Sequence, residues 1–147
     1  MKIKLLALLL FPAVCWGQIT ISGPSSSGGI SDPSCTLLIA ASDESTAITA
    51  GGSKVTFRAP YAFTLSSVRA SLSVASGTGS VVVDINQSGT SILSTPLSID
   101  VSELTSVTSA TAAVISTAAI SDDAEISIDI DSAGSGAKGL KISLIGN

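Results

Sequence analysis

Five carboxylates crowd one short stretch of this chain, at Asp122, Asp123, Glu125, Asp129 and Asp131. Calcium takes roughly six to eight oxygen ligands, mostly from carboxylates and carbonyls, so such a run is a candidate calcium site. The spacing matches no EF-hand loop, and acids that alternate with apolar residues are typical of the solvated face of a strand. Both interpretations stay open here, a calcium site and a solvated acidic face.

The chain contains no histidine. Histidine is the commonest general base, the usual partner of a nucleophilic serine or cysteine, and the commonest metal ligand. A hydrolase could still pair two carboxylates, either Asp84 with Asp100 or Asp129 with Asp131. The second pair lies on one face of one predicted strand, with no evident pocket. We therefore expect a protein that is not an enzyme and that needs no cofactor, apart from the calcium considered above.

Three aromatic side chains lie close together in the sequence, at Phe57, Tyr61 and Phe63. Modules that bind glycans commonly stack sugar rings on aromatic side chains. Phe57 and Phe63 follow the apolar pattern of a core, which leaves Tyr61 as the candidate ligand contact. The only two arginines, Arg58 and Arg69, either pair with acids across a sheet or line a groove for an anionic ligand.

Strands must position these side chains, because apolar and polar residues alternate with a period of two over most of the chain. The clearest alternation runs from Glu125 to Asp131, with three isoleucines on one face. Residues 87–90 carry a hairpin signal, Gln-Ser-Gly-Thr. We predict an all-β domain over residues 36–147, an antiparallel β-sandwich of the jelly-roll type with about eight strands.

Two stretches follow the alternation less clearly. The pair Gly51-Gly52 indicates a break before a strand that begins near Lys54. Residues 102–119 contain enough alanine for a helix, but their β-branched residues lower the helix propensity. Within that stretch we predict a strand only from Thr111 to Ser116, with a loop before it.

The strand that begins near Phe63 changes face partway along its length. Phe63 and Leu65 point one way, and the next apolar residues are shifted by one position, at Val68, Ala70, Leu72 and Val74. Because the side-chain period is two, this shift requires a bulge near Ser66-Ser67. We expect the bent strand to turn a corner between the two sheets of the sandwich.

The N-terminus has the form of a secretory signal peptide over residues 1–17. Two lysines precede an apolar run from Leu5 to Val14, far shorter than the roughly 20 residues that a membrane helix needs. We expect cleavage before Gln18, which leaves no transmembrane helix in the mature chain. Two alternatives are lipidation at Cys15 and an uncleaved hydrophobic segment.

Residues 18–35 form a linker or N-terminal arm that is rich in glycine, serine and proline. It begins with the strand-like piece Ile19 to Ile21, and it acts either as a poorly ordered arm or as a tether to a neighbouring subunit. With Cys15 removed, Cys35 has no partner in the chain, so it is a free thiol or bridges two chains. The mature chain keeps five basic and eleven acidic groups, so its net charge of −6 disfavours nucleic acid as a partner.

Several segments resemble a domain common in structural proteins of tailed bacteriophages. The resemblance spans roughly residues 42–147 and is carried by segments 55–65, 68–72, 83–86, 90–95, 97–100, 123–131 and 139–146. It implies a small β-sandwich attached to virions, such as a tail-fibre protein, and it transfers no functional residues. Virion proteins assemble in the cytoplasm, so residues 1–17 depart from this pattern. They suggest a secreted bacterial relative, a phage-derived gene used at the surface, or a hydrophobic segment that serves assembly.

We therefore expect a structural or attachment module of a virion or an extracellular assembly. Its partners are expected to be copies of itself or other virion or surface proteins. The alternative is a secreted or surface-tethered glycan-binding module of a bacterium. The expected location is the virion or the extracellular space, ahead of anchoring at the cell surface.

The mature N-terminus distinguishes these locations. We predict that intact-mass and peptide mass spectrometry of the native protein will find a chain that begins at Gln18, because the apolar run is too short to anchor the chain. A diacylglyceryl group on Cys15 would mean anchoring, and an intact Met1 would mean cytoplasmic assembly. Either result would contradict simple export.

Overall fold

The computed structural model describes residues 35–147, so the predicted signal peptide and almost all of the linker lie outside it. The described residues form eleven strands and no helix. They therefore contain no helix that could span a membrane. The strands are β1 Cys35–Ala40, β2 Gly51–Arg58, β3 Phe63–Ser71, β4 Val81–Gln87, β5 Thr90–Ser91, β6 Leu93–Thr95, β7 Leu97–Ile99, β8 Val114–Ile115, β9 Ala119–Ile120, β10 Glu125–Ala133 and β11 Lys141–Gly146.

Two antiparallel sheets contain all the long strands. One sheet has the order β1-β11-β3-β9, and the other has the order β2-β10-β4-β5, with β7 also paired to β4. A small third sheet joins β6 to β8. The first strand, β1, therefore pairs with the last, β11, and the second, β2, pairs with the one before the last, β10. On the other side of β11 and β10 lie β3 and β4, which pair in turn with β9 and β5. This nested pairing is that of a jelly roll, and it confirms the predicted all-β sandwich.

The inward rows of the two sheets form one hydrophobic core. In β10 and β11 the alternation read from the sequence is confirmed, since their inward side chains are at most 2% exposed, namely Ile126, Ile128, Ile130, Ile142 and Leu144. The inward valines of β4, Val81 and Val83, are fully buried. Leu140, just before β11, is buried with them. A period of two thus places an entire aliphatic row on the core side.

The predicted face change in β3 is confirmed. Ser67 pairs with Ile145 and Leu65 pairs with Gly146, so Ser66 is an extra residue, a β-bulge. Two details of the prediction are wrong. The strand does not cross between sheets, because it pairs only with β11 and β9 of one sheet. Val74 is 43% exposed rather than inward, because β3 has already ended at Ser71.

Turn chemistry agrees with the sequence at one site and differs at another. Ser88 and Gly89 both have positive φ, at 50° and 79°, which is the conformation that a tight two-residue hairpin requires. At Gly51-Gly52 the predicted start of the strand near Lys54 is wrong, since β2 begins at Gly51, although its pairing with β10 shifts register between Gly51 and Val55. The predicted strand Thr111 to Ser116 is reduced to the two residues of β8.

Two leucines on neighbouring strands provide a matched test of this core. Leu144 is fully buried on β11, and Leu38 is 67% exposed on β1. We predict that Leu144→Ala lowers the free energy of unfolding by about 2–5 kcal/mol, because it leaves a cavity. We predict that Leu38→Ala changes it by less than about 0.5 kcal/mol. Urea unfolding measures both values, and equal losses would contradict the assigned faces.

Candidate functional site: a cleft at the β3 edge

A cleft opens along one edge of β3, where that strand lacks a partner over part of its length. The N–H of Leu65 donates to the carbonyl of Ala118 at 2.8 Å. Farther along, the N–H of Ala70 donates to the Ser106 hydroxyl at 2.9 Å. Among the described residues, no backbone hydrogen bond joins the stretch between these two points to that side. Residues 66–69 therefore border a gap in the sheet.

The gap coincides with the bulge at Ser66. A bulge bends its strand, increases the local twist and commonly ends pairing with one neighbour. The Ser66 hydroxyl donates to the carbonyl of Ile145 at 3.1 Å, which ties the extra residue to the partner strand β11. The face change that the sequence predicts therefore marks both the bend of β3 and the position of the cleft.

The cleft has a volume of about 450 Å³, within the range of roughly 300–1,000 Å³ that small-molecule sites occupy. Its lining combines hydroxyl groups, one guanidinium and apolar side chains. The lining residues are Ser66, Ser67, Val68, Arg69, Leu97, Ser106, Val107, Ala112, Ala113, Val114 and Ile115. The cleft thus offers hydrogen-bond donors beside an aliphatic wall.

Arg69 is the only charged group that lines the cleft. It takes no part in either of the two ion pairs found within residues 35–147. Its guanidinium presents five N–H donors in a planar fork that matches a carboxylate. In a chain with 11 acidic and 7 basic groups, this side chain places a positive charge at the cleft, as the sequence-based alternative of an anionic-ligand groove requires.

The far wall of the cleft belongs to loop 100–113, which connects β7 to β8. Asp100 holds the loop near its base, since its carboxylate accepts from the N–H of Ala110 at 2.8 Å. The loop also hydrogen-bonds to β3, because the N–H of Ser106 donates to the carbonyl of Ala70 at 2.9 Å. The wall is therefore fixed by specific hydrogen bonds, although it contains no long strand.

Exposed apolar side chains cluster on and beside the loop that forms the far wall of this cleft. Among residues 35–147, seven large apolar side chains are exposed, and five of them lie on loop 100–113 or beside it, namely Val74, Val101, Leu104, Val107 and Val114. Val107 is 61% exposed and also lines the cleft. Clustered exposed apolar groups that border a cleft are typical of binding surfaces. We call these five residues the apolar rim.

The other candidate arginine lies elsewhere. Arg58 ends β2 and Arg69 lies in β3, which belong to opposite sheets, so the two side chains do not line one groove. Arg58 forms an ion pair with Glu125 on the neighbouring strand, at 3.7 Å, and donates to the carbonyl of Asp123 at 3.0 Å. Arg58 therefore forms an ion pair with a neighbouring strand of its own sheet, whereas Arg69 lines the cleft.

Tyr61 lies in the turn between β2 and β3 and is 46% exposed. Its ring contacts Phe63 edge-on, with ring centroids 5.9 Å apart. The neighbouring Cys35 thiol raises the pKa of Tyr61 above its ordinary value. Tyr61 is thus available to a ligand, but away from the β3 cleft.

Cys35 has no disulfide partner within the described residues, and the predicted lipidation site Cys15 lies outside them.

The five candidate calcium ligands do not converge. Two of them, Asp122 and Asp123, lie in the turn before β10, and Glu125 is the first residue of that strand. The other two, Asp129 and Asp131, lie farther along β10. Within residues 35–147, no group of three or more His, Cys, Asp or Glu side chains has a geometry that could hold a metal ion. The described residues therefore favour the solvated acidic face over the calcium site.

The acids of β10 belong to a polar network on the outer face of their sheet. Asp129 lies directly opposite Asp84 of β4, and its carboxylate accepts from the N–H of Ser53 at 2.6 Å and from the Asn86 amide at 3.1 Å. Burial, followed by the charges of Asp84 and Asp129, raises the pKa of Asp131. The two hydrogen bonds give Asp129 a structural role.

The carboxylate pair Asp84 and Asp100 is not brought together. Asp84 lies within β4, whereas Asp100 follows Ile99, whose partner is Val81 at the start of that strand. Asp100 is therefore level with Ser80, four strand positions or about 13 Å along β4 from Asp84. Sequence reasoning did not identify Ser106 or loop 100–113 as parts of a site. The apolar residues of that loop, Leu104 and Val107, were the available signal.

Comparison of the chain with protein-family models, with curated proteins and with solved structures found no match. The interpretation of the cleft therefore depends on its own chemistry. A guanidinium, hydroxyl groups and an unpaired strand edge, set among aliphatic side chains, can bind an anionic or hydrogen-bonding group attached to an apolar body.

The acidic face generates a prediction about stability. Because folding raises the pKa of Asp131, its ionised form destabilises the fold above the folded-state pKa, and this cost is absent below the unfolded-state pKa. We predict that Asp131→Asn increases the free energy of unfolding at pH 7 by up to about 0.5 kcal/mol, a small value because the group is largely exposed. Urea unfolding at pH 7 and pH 3 measures the gain, which must vanish at pH 3. Asp122→Asn, at an exposed turn, is the control, and an equal gain there would contradict the assignment.

Proposed function

We propose that this protein is a non-enzymatic structural or attachment module of a virion or an extracellular assembly. In this proposal the β3 cleft and its apolar rim bind the partner. The observation that supports it most is the concentration of exposed apolar side chains on and beside the loop that walls a cleft with one guanidinium. The virion or extracellular assembly enters the proposal from the resemblance of the sequence to phage structural domains.

The cleft and its rim share two features with the centres of protein–protein interfaces, a scarcity of charged residues and the presence of an arginine. The buried centres of such interfaces are depleted in charged residues but enriched in aromatic residues, Met and Arg, and a few such residues dominate the binding energy. Here Leu104 is 50% and Val107 is 61% exposed, beside Arg69. Burial of apolar surface contributes about 25 cal/mol per Å², so covering several of these side chains provides a substantial driving force.

The loop also suits a binding role because it is rigid at its attachment points. Asp100 and Ser106 fix it to the sandwich, so a partner does not have to order a long free segment on binding. A preformed surface avoids much of that entropic cost.

Labelling of purified particles tests the proposal. We predict that negative-stain microscopy with gold-labelled antibody places the protein on virions or extracellular assemblies. We further predict that the double variant Leu104→Ser/Val107→Ser weakens binding to particles that lack the protein. The Kd from co-sedimentation rises at least about tenfold, since interface anchors contribute more than about 1.4 kcal/mol. Leu38→Ser is the control, because Leu38 is 67% exposed, more than either rim residue, but lies on β1.

Three outcomes would contradict the proposal. The first is that the label is found only in the soluble fraction. The second is that the rim variant binds particles as tightly as the parent protein does. The third is that the Leu38→Ser control loses particle binding together with the rim variant. A glycan array identifies the alternative function. Binding to particular glycans that Tyr61→Ala abolishes would assign the protein to the glycan-binding modules instead.

A further inference from the structure

The edge of the sandwich formed by β1 and β2 is open. Within the described residues, β1 pairs only with β11 and β2 pairs only with β10, so both strands are at sheet edges on the same side of the molecule. A groove of about 430 Å³ lies between them. Its lining residues are Thr36, Leu37, Leu38, Ile39, Val55, Phe57, Arg58 and Pro60. We call it the edge groove.

Inward side chains at this edge are incompletely covered. Leu37, Ile39, Val55 and Phe57 pack against the core but are only half-buried. On the adjacent strand β11, by contrast, Leu144 is fully buried. Burying apolar surface is favourable, so an apolar segment laid in the groove would stabilise the fold.

The backbone of β1 also has free hydrogen-bonding groups at this edge. The N–H of Ala41 donates to the carbonyl of Leu140 on the β11 side. Hydrogen-bonded and non-hydrogen-bonded residues alternate along an antiparallel pair. It follows that the N–H groups of Thr36, Leu38 and Ala40 point away from β11, towards the open edge. Exposed strand edges of this kind are covered or blocked in most natural proteins.

We propose that residues 19–21 of the same chain, Ile-Thr-Ile, add to β1 as an extra edge strand. The alternation of this segment places Ile19 and Ile21 on one face, towards the edge groove, and Thr20 on the other. Its backbone satisfies the free N–H groups of β1. Cleavage before Gln18 keeps the segment in the mature chain.

The length of the intervening chain permits this pairing and favours it within one molecule. Thirteen residues separate Ile21 from Cys35, which begins β1 at one end of the groove. They span up to roughly 43 Å when extended, whereas the six residues of β1 span only about 20 Å. A short flexible linker gives an effective concentration in the millimolar range, far above that of a second molecule at micromolar concentration.

This inference does not rest on the proposed function. In the sheet order β1-β11-β3-β9, the edge groove lies on the outer side of β1, whereas the cleft lies beyond β3. The edge groove can therefore be occupied while the cleft is free.

Hydrogen exchange followed by NMR tests the pairing on the purified protein with residues 18–34 present. We predict that the amides of Thr36, Leu38 and Ala40 are protected in the parent. In Ile19→Ser/Ile21→Ser they exchange at least tenfold faster, because the arm loses its apolar contacts. Thr20→Ser, whose side chain faces outward, keeps the parent rates. The amides of β10 report in every variant that the sandwich itself is folded.

Three results would overturn the proposal. One is that the three amides exchange freely in the parent, and another is that the double variant leaves their rates unchanged. The third is that protection is lost on dilution, with a dimer in analytical ultracentrifugation, since that behaviour would assign the arm to the groove of a second copy.

Discussion

The fold depends on the period-two alternation of β10 and β11, because each of these strands is paired on both sides and buries its whole inward row. A slip of one residue in either strand would turn its aliphatic row to solvent, so the register is strongly specified. Both strands come late in the chain, and β11 pairs with residues about a hundred positions earlier. The sheet of β2 is incomplete until β10 has been added, and the sheet of β1 is incomplete until β11 has been added. Such non-local pairing is typical of slowly folding β-proteins.

A single extra residue in that regular frame produces the candidate site. Ser66 has no partner on β11, so β3 bends at this residue. On the edge of β3 that faces away from β11, the strand pairs with β9 only before the bulge and hydrogen-bonds to Ser106 only after it. The interruption leaves Arg69 beside a cavity rather than in a continuous sheet. The bulge therefore couples a local sequence feature to the candidate site without disturbing the core, since Leu65 and Val68 on either side of it are both buried.

The sequence specifies local features of the fold better than its long-range contacts. Ile126 and Ile128 could be assigned to the core because alternation is a property of neighbouring residues, and the bulge follows from the same rule. Val74 was assigned inward because alternation alone does not show where β3 ends. Arg69 was a candidate because arginine is rare here, yet its neighbour across the cleft, Ser106, is bonded to a residue 36 positions away. That contact depends on the topology of loop 100–113, which has no repeating pattern to reveal it.

The two edges of this sheet set different limits on what can bind. At β3 the free stretch covers only residues 66–69, and β9 and loop 100–113 cap it at both ends. Four residues correspond to about 13 Å of strand, so a partner cannot add a long strand there and must enter the cleft with side chains or a short loop. At β1 the whole edge is free within the described residues, so an added strand is sterically possible. Recognition by side chains at one edge and by backbone pairing at the other follows from where the sheet is capped.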